Sequence, residues 1–219
     1  MRPIGPFNFY GSNTMKALLK IGLGTVLLAA SAAANAQASA NVGWASEYHF
    51  RGILQKVSSA NAGLDYESLG FYVGTWAADV GDGLEVDGYF GYGADVGDFS
   101  FSVGYTGYFY TGDFDDTYQE INLGGAFAGL SLDVAIGEYE NFTGPTQDYT
   151  FAALTFEHEG FYGTYGTFSQ DFDGDYIELG YGTTISEIDF GIALVLANDD
   201  LIGEDDESLL FTIGKSFDL

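Results

Sequence analysis

Apolar and polar side chains alternate along several stretches of the chain. Between residues 84 and 96, the even-numbered positions are mostly apolar or aromatic, whereas the odd-numbered positions carry acids, glycine and tyrosine. The same alternation begins at residues 130, 176 and 188. Because successive side chains of a strand point to opposite faces, this pattern predicts β-strands with one apolar face and one small, acidic face. In the stretches from residues 148 and 161 both faces carry aromatics, so their orientation stays open.

A repeat of about 30 residues organises these strands. Large apolar residues follow short turns at Phe71, Phe99, Leu130, Phe161 and Phe190, with spacings of 28, 31, 31 and 29. A repeat of this length holds two strands and two connections, which is one β-hairpin. Counting back one repeat from residue 71 reaches another strand near residue 42. Six hairpins therefore predict about twelve strands.

The connections between these strands are of two kinds. Five of them are tight turns, which precede the large apolar residues of the repeat. Longer, mostly acidic loops are expected at residues 52–60, 79–83, 112–116, 138–147, 171–175 and 198–207. Short turns at one rim and long loops at the other are typical of outer-membrane barrels, whose short turns are periplasmic. We therefore predict an all-β, transmembrane, up-and-down antiparallel barrel.

A soluble barrel with an apolar interior is the alternative that shares this alternation. The second face of the predicted strands carries glycine, alanine and carboxylates, which suit a wet lumen better than a soluble exterior. The last strand agrees with a membrane barrel, because its alternate positions form an apolar stripe similar to the C-terminal signature of outer-membrane proteins. That stripe departs from the signature in ending with Leu219 and in containing Lys215.

The N-terminal segment has the features of a bacterial secretory signal. Lys16 and Lys20 precede an apolar run at residues 21–34, and Ala34-Asn35-Ala36 forms a small-x-small cleavage site. We expect cleavage after Ala36, so residues 1–36 are an N-terminal extension with a signal peptide and residues 37–219 are the barrel. No later stretch approaches 18 consecutive apolar residues, so a spanning domain here must be a closed barrel.

Composition and charge narrow the function classes. The 219 residues include 32 acids and only six Lys and Arg, for a formal net charge of −26. Removing residues 1–36 would leave three bases, namely Arg51, Lys56 and Lys215. Such a negative surface repels nucleic acid, which excludes DNA or RNA as the expected partner. The absence of cysteine excludes disulfides, cysteine zinc sites and thiol nucleophiles.

The chain resembles a known family in its first strands. Residues 40–42, 47–53, 63–66, 70–77 and 214–217 are similar to the TorF-type proteins, an uncharacterised proteobacterial family of porin-type barrels. The resemblance covers about residues 39–219. It implies an outer-membrane barrel with no established catalytic residues and no settled solute.

The face of the barrel that points inward supplies the candidate functional residues. The pore-lining candidates are Glu47, His49, Arg51, Asp65, Glu67, Glu85, Asp87, Glu120, Asp133, Glu178 and Asp189. A wall of mostly one sign focuses its field and favours counter-ions. Arg51 is either an electrostatic constriction near the outer mouth or part of a structural ion-pair network that fills the barrel.

These features predict a porin-like passive channel for small hydrophilic solutes across the bacterial outer membrane, with a preference for cations. A closed structural or surface-binding barrel with acidic extracellular loops and no conductance is the alternative. The expected partners are outer-membrane lipids, lipopolysaccharide and the solutes or cations themselves, with the oligomeric state left open.

Catalysis is not expected from this sequence. The two histidines are His49 and His158, and no serine lies within several residues of His158 to form a nucleophilic pair. The D-x-D-G-D motif at residues 171–175 lacks the longer ligand set of a calcium loop, which favours an ordinary hairpin loop. Neither a metal nor another cofactor is predicted.

Overall fold

A computed structural model describes residues 36–204 and 206–219, which form twelve strands and one short helix. The strands are β1 Gln37–Phe50, β2 Ile53–Ser68, β3 Phe71–Gly81, β4 Gly83–Val96, β5 Phe99–Tyr110, β6 Tyr118–Phe127, β7 Leu130–Tyr139, β8 Gln147–His158, β9 Phe161–Gln170, β10 Asp175–Ile185, β11 Ile188–Ala197 and β12 Asp206–Asp218. The helix α1, Asp199–Ile202, lies between β11 and β12. In the described part of the chain, no helix is long and apolar enough to cross a membrane. The predicted signal peptide lies almost wholly in residues 1–35, outside the described residues, and stays a prediction.

The twelve strands form one closed antiparallel sheet. Each strand pairs with its neighbours in sequence, and β1 pairs with β12 to close the barrel. The closing ladder runs from Ser39 opposite Asp218 to Ala45 opposite Thr212. The predicted twelve-stranded up-and-down barrel is therefore confirmed.

All five predicted tight turns have two residues. Four of them place both residues at positive φ, as at Leu69 and Gly70, with φ of 52° and 84°. This backbone matches the right-handed twist of the two flanking strands, which explains why a two-residue connection suffices. At the fifth turn, Gly97 has a φ of 66°. These turns form one rim of the barrel.

Two of the six predicted long loops are wrong. Residues 53–60 belong to β2, so Arg51 and Gly52 alone connect β1 to β2. Asp82 alone connects β3 to β4, between two glycines at positive φ. The run of Gln, Lys and Ser at residues 55–59 is polar enough to suggest a loop, but it is paired in a hairpin instead. The other four loops occupy residues 111–117, 140–146, 171–174 and 198–204 at the opposite rim, and the last of them contains α1.

The apolar face of the strands points outward. In β4, Phe90 is 58% exposed, whereas the preceding Tyr89 is 4% exposed and points inward. In β8 and β9, where the sequence left the faces open, Phe151 and Phe168 are buried inside the barrel and Phe161 is outside. Large exposed apolar side chains continue around the outside of the whole barrel. A monomeric soluble protein rarely exposes so continuous an apolar surface, so this belt faces lipid.

Aromatic pairs border this belt at the short-turn rim. Phe99 stacks on Phe127 with ring centroids 4.5 Å apart, and Phe161 lies 4.7 Å from Tyr181. Such girdles are typical of the membrane–water interface of outer-membrane barrels.

Replacing Leu123 by arginine tests whether the outward face contacts lipid. Leu123 lies half way along β6, opposite Val103 and Val134 on the outer face. An arginine at the bilayer midplane costs about 2–4 kcal/mol, so we expect L123R to lower the free energy of unfolding by that amount in denaturant titrations of vesicle-inserted protein. The matched variant Gln119→Arg lies on the same face near the long-loop rim, where the cost is at most about 1 kcal/mol. Equal effects of the two variants would contradict the lipid-facing orientation.

Candidate functional site

Part of the first hairpin leaves the barrel wall. The β1–β12 ladder ends where Ala45 faces Thr212, and the β2–β3 ladder begins where Asn61 faces Ala78. Between these two points, residues 46–60 have ladder partners only within their own hairpin, among the residues that the structure describes. We call residues 46–60 the hairpin arm.

The hairpin arm crosses the lumen. Its Arg51 binds Glu120 of β6, and its guanidinium lies 4.2 Å from the ring centroid of Phe151 in β8. Phe50 packs edge-on against Tyr108 of β5, with ring centroids 6.1 Å apart. Because β6 lies across a twelve-stranded barrel from β1, these contacts place the tip of the arm against the far wall.

The tip fits closely because Gly52 has no side chain. A Cβ at this position would lie 2.7 Å from the Cβ of Tyr176 in β10, and the residue has a φ of 85°. Both the close approach and the left-handed backbone require glycine here. The tip therefore contacts β10 as well as β5, β6 and β8.

A buried ion pair anchors the tip. Nη2 of Arg51 donates to both carboxylate oxygens of Glu120, at 2.9 and 3.1 Å. The same carboxylate accepts hydrogen bonds from the hydroxyl of Tyr108 at 2.5 Å, the hydroxyl of Tyr149 at 2.9 Å and the amide of Asn122 at 2.7 Å. Both side chains of the ion pair are buried. This set of donors compensates for the burial of the Glu120 carboxylate, whereas Nη1 of Arg51 is buried without a hydrogen-bond partner among the described residues.

Two serines occupy the points where the arm leaves the wall. Oγ of Ser46 accepts a hydrogen bond from the backbone N–H of Phe211 in β12, at 2.8 Å. Oγ of Ser59 donates to the backbone carbonyl of Asp79 in β3, at 2.7 Å. The neighbouring Ser58 has a φ of 62°, in the left-handed region. Hydroxyl groups thus satisfy backbone groups that a continuing ladder would have paired.

A correction concerns the first strand. Regular alternation predicts Glu47, His49 and Arg51 as wall residues on the inner face, but a bulge between Tyr48 and His49 changes the register. The three consecutive residues Tyr48, His49 and Phe50 are all buried, because this part of the arm lies inside the lumen rather than in the wall. His49 and Glu47 form a pair at 3.0 Å on the arm itself. Arg51 lies across the lumen rather than along the wall.

The other candidates lie on the inner face of the wall, spread around the barrel. Most of them accept a hydroxyl hydrogen bond from another inward-facing residue. The pairs are Glu85 with Tyr48 at 3.0 Å, Asp65 with Tyr89 at 2.6 Å, Glu178 with Tyr162 at 2.5 Å and Asp189 with Thr184 at 2.6 Å. Asp87 and Asp133 are buried on the inner face, and Glu67 is half-buried. Glu120 is the candidate that forms a salt bridge with Arg51.

Sequence reasoning missed three inward residues that shape the site. Tyr48, Phe50 and Trp76 are 1%, 1% and 5% exposed, and Tyr48 lies 5.8 Å from the ring of Trp76. A tryptophan on the inner face breaks the expected pattern of small and acidic residues, although regular alternation from Phe71 places position 76 on that face. Across the described ranges, no group of three or more His, Asp or Glu residues is arranged to hold a metal ion.

Comparisons with known proteins agree with this architecture. The model of a family described as bacterial proteins of unknown function, Gcw_chp, matches residues 29–211. No curated protein matches the chain in sequence. A membrane protein studied for in-meso crystallization is similar in fold, with a TM-score of 0.55, 10% identity and 84% of each chain covered. The NanC porin follows with a TM-score of 0.50, 12% identity, and coverage of 83% of this chain and all of its own.

The predicted location in the bacterial outer membrane is confirmed by these features together. The chain matches a bacterial family, its sheet closes into a barrel, and an apolar belt with an aromatic rim surrounds the outside. Bacterial barrels that face lipid in this way span the outer membrane.

A double-mutant cycle tests whether the buried ion pair holds the arm. Arg51→Met or Glu120→Gln alone leaves one partner buried without its counter-charge, so each should lower the free energy of unfolding by about 3–5 kcal/mol. The double variant R51M/E120Q should lose clearly less than the sum, when unfolding is measured by denaturant titration in vesicles. The exposed pair Lys215 and Glu187 is the control, with an expected coupling of at most about 1 kcal/mol. Equal coupling in the two cycles would contradict the anchoring role.

Proposed function

We propose that this chain, which belongs to the Gcw_chp family of bacterial proteins of unknown function, is a porin-like passive channel for small hydrophilic solutes, with a preference for cations. Solutes would cross by diffusion through the polar lumen, without catalysis. That this family is also the TorF-type family of porin-type barrels, which the sequence resembles over about residues 39–219, is part of the same proposal.

The observation that carries this proposal is the character of the inner face. Eight-stranded barrels are filled by their own side chains, and 16-stranded barrels enclose a channel. In a twelve-stranded barrel, the size of the inward residues therefore decides whether a channel remains open. Toward the short-turn rim, the inner positions of β5, β6 and β7 are small. They are Ser100, Ser102, Gly124, Ala126 and Ser131. Most of the bulky inward aromatics and the hairpin arm lie toward the long-loop rim, while Tyr72 and Tyr162 point inward near the short-turn rim. We infer that the long-loop end is the constriction.

The charge balance of the inner face supports the preference for cations. Arg51 is paired with Glu120, and Lys56 is paired with Asp79 at the base of the arm. Several inward acids form no salt bridge with any base in the described part of the chain. Among them are Asp65, Asp133, Glu178 and Asp189. A narrow passage with low-dielectric walls and a negative lining raises the local concentration of cations.

The second candidate function is a closed barrel that has a structural or surface-binding role. The close packing of the arm tip against the far wall favours this alternative. Its acidic loops would then be the functional surface, in contact with lipopolysaccharide or a partner outside the cell. Current through a planar bilayer separates the two functions, because a closed barrel carries none.

Reversal potentials across a salt gradient test the charge selectivity. We expect the wild-type protein to favour potassium over chloride, and the variant D133N/E178Q to move the permeability ratio toward unity, because it removes two lining charges. The control Glu138→Gln removes an acid from the outer face of β7, and should leave the ratio unchanged. Preference of the wild type for chloride would refute the cation proposal. Absence of current from all three proteins would support the closed barrel.

A further inference from the structure

We propose that the hairpin arm is a gate with two seats. In the first position, which we call the lumen seat, the arm crosses the lumen and Arg51 binds Glu120. In the second position, which we call the wall seat, the arm would lie between β12 and β3, complete the barrel wall and leave the lumen clear. The effect of the arm on conductance rests on the proposed channel function, but the movement of the arm can be tested separately.

The first argument is an open strand edge in the apolar belt. Within the described residues, Asp206–Phe211 of β12 have ladder partners in β11 and none in β1. Leu209 and Phe211 are about half exposed on the outer face, at the level of the lipid-facing belt. Backbone groups facing hydrocarbon without a partner are costly, and open sheet edges are not found there. This edge therefore favours the arrival of another strand.

The second argument is that the arm fits this edge without a change of register. Continuing the β1–β12 ladder beyond Ala45 and Thr212 brings Glu47 opposite Leu210, and His49 opposite Ser208. The same register brings Arg51, at the turn, opposite Asp206, where β12 begins. The arm is thus as long as the edge that it would cover.

The other side of the arm would meet β3 only at residues 58–60, and residues 53–57 would extend beyond the end of β3. Continuing the β2–β3 ladder from Asn61 and Ala78 brings Ala60 opposite Asp79 and Ser58 opposite Gly81. Gly81 is the last residue of β3. Both neighbouring strands therefore offer an edge to the arm, each in the register already set by the closed part of the barrel.

The third argument is the chemistry of the two hinge points. Oγ of Ser46 holds the N–H of Phe211, the group that the next β1–β12 ladder bond would use. Oγ of Ser59 holds the carbonyl of Asp79, the residue that Ala60 would face in the continued ladder. Moving the arm into the wall would exchange each hydroxyl bond for a backbone bond. The strained φ of Ser58 would relax in a regular strand.

The two seats have different sources of stability. The lumen seat is held by the Arg51–Glu120 ion pair and by the hydrogen bond from Tyr48 to Glu85. The wall seat would gain ladder bonds on both of its sides. Such a pair of discrete packings of one segment is how proteins switch between states, and the population shifts with whatever binds one seat better.

A disulfide across the continued β1–β12 ladder tests the movement, and the chain has no cysteine of its own. The variant H49C/S208C places the pair at opposed positions of the continued ladder. In the existing β1–β12 ladder, the N–H of Leu219 donates to the carbonyl of Ala38, so the even-numbered residues of β1 form the hydrogen-bonded pairs. The odd-numbered residues of β1, which include residues 41 and 49, therefore form the non-hydrogen-bonded pairs. Their Cα atoms are close enough for a disulfide. In the lumen seat His49 contacts Glu47 and has no ladder partner in β12.

The control is N41C/S216C, a pair of the same kind in the part of the ladder that is already formed. Under a mild copper–phenanthroline oxidant in vesicles, we expect both variants to form the disulfide, detected by mass and reversed by dithiothreitol. Oxidised H49C/S208C should show a several-fold higher single-channel conductance that returns to its starting value on reduction. The control should show no change in conductance.

The outcomes separate the gate from the channel. Failure of H49C/S208C to form its disulfide, where the control forms one completely, would overturn the wall seat. A complete disulfide in H49C/S208C with unchanged, measurable conductance would overturn the gate. A complete disulfide with no current before or after oxidation would instead overturn the channel function, while leaving the movement established.

Discussion

Every backbone N–H and C=O group that faces lipid must find its partner within the protein, and this requirement shapes the whole molecule. It is met by closing β1 onto β12, so that the twelve strands have no free edge in the half of the barrel nearer the short-turn rim. Two-residue turns with positive φ keep adjacent strands paired to their ends at one rim. Where the hairpin arm leaves the wall, the hydroxyl groups of Ser46 and Ser59 bind one backbone N–H and one backbone carbonyl of the neighbouring strands, and the rest of the β12 edge has no ladder partner in β1 among the described residues.

The interior of the barrel satisfies a second requirement, which is that buried charge must be compensated. The carboxylate of Glu120 receives hydrogen bonds from four side chains, and one of these is the guanidinium of Arg51. Elsewhere on the inner face, single tyrosine or threonine hydroxyls donate to the acids, as Tyr162 does to Glu178. Hydroxyl donors carry no charge, so these hydrogen bonds satisfy the carboxyl groups without an opposite charge beside them. This arrangement explains how the inner face can be both densely hydrogen-bonded and strongly acidic.

The strands and turns could be predicted because their signals are local. The alternation of side chains in β4, β7, β10 and β11 reports the two faces directly, and the spacing of the tight turns reports the hairpins. The loop predictions failed where polar composition was the only signal, as at residues 53–60, since a polar strand and a loop have the same composition. In β8 and β9, aromatics on both faces hid the orientation, which pairing with the neighbouring strands decided.

The sequence by itself determined that the chain forms a barrel with an apolar exterior and an acidic, glycine-rich interior. Periodicity and turn chemistry act over a few residues, and they repeat around the sheet. Only the tertiary structure decided that the first hairpin bends into the lumen. Arg51 and Glu120 are 69 residues apart, and nothing in the sequence near either residue specifies the other. Their contact depends on closure of the sheet, because only a closed barrel brings the first hairpin within reach of the wall formed by β6.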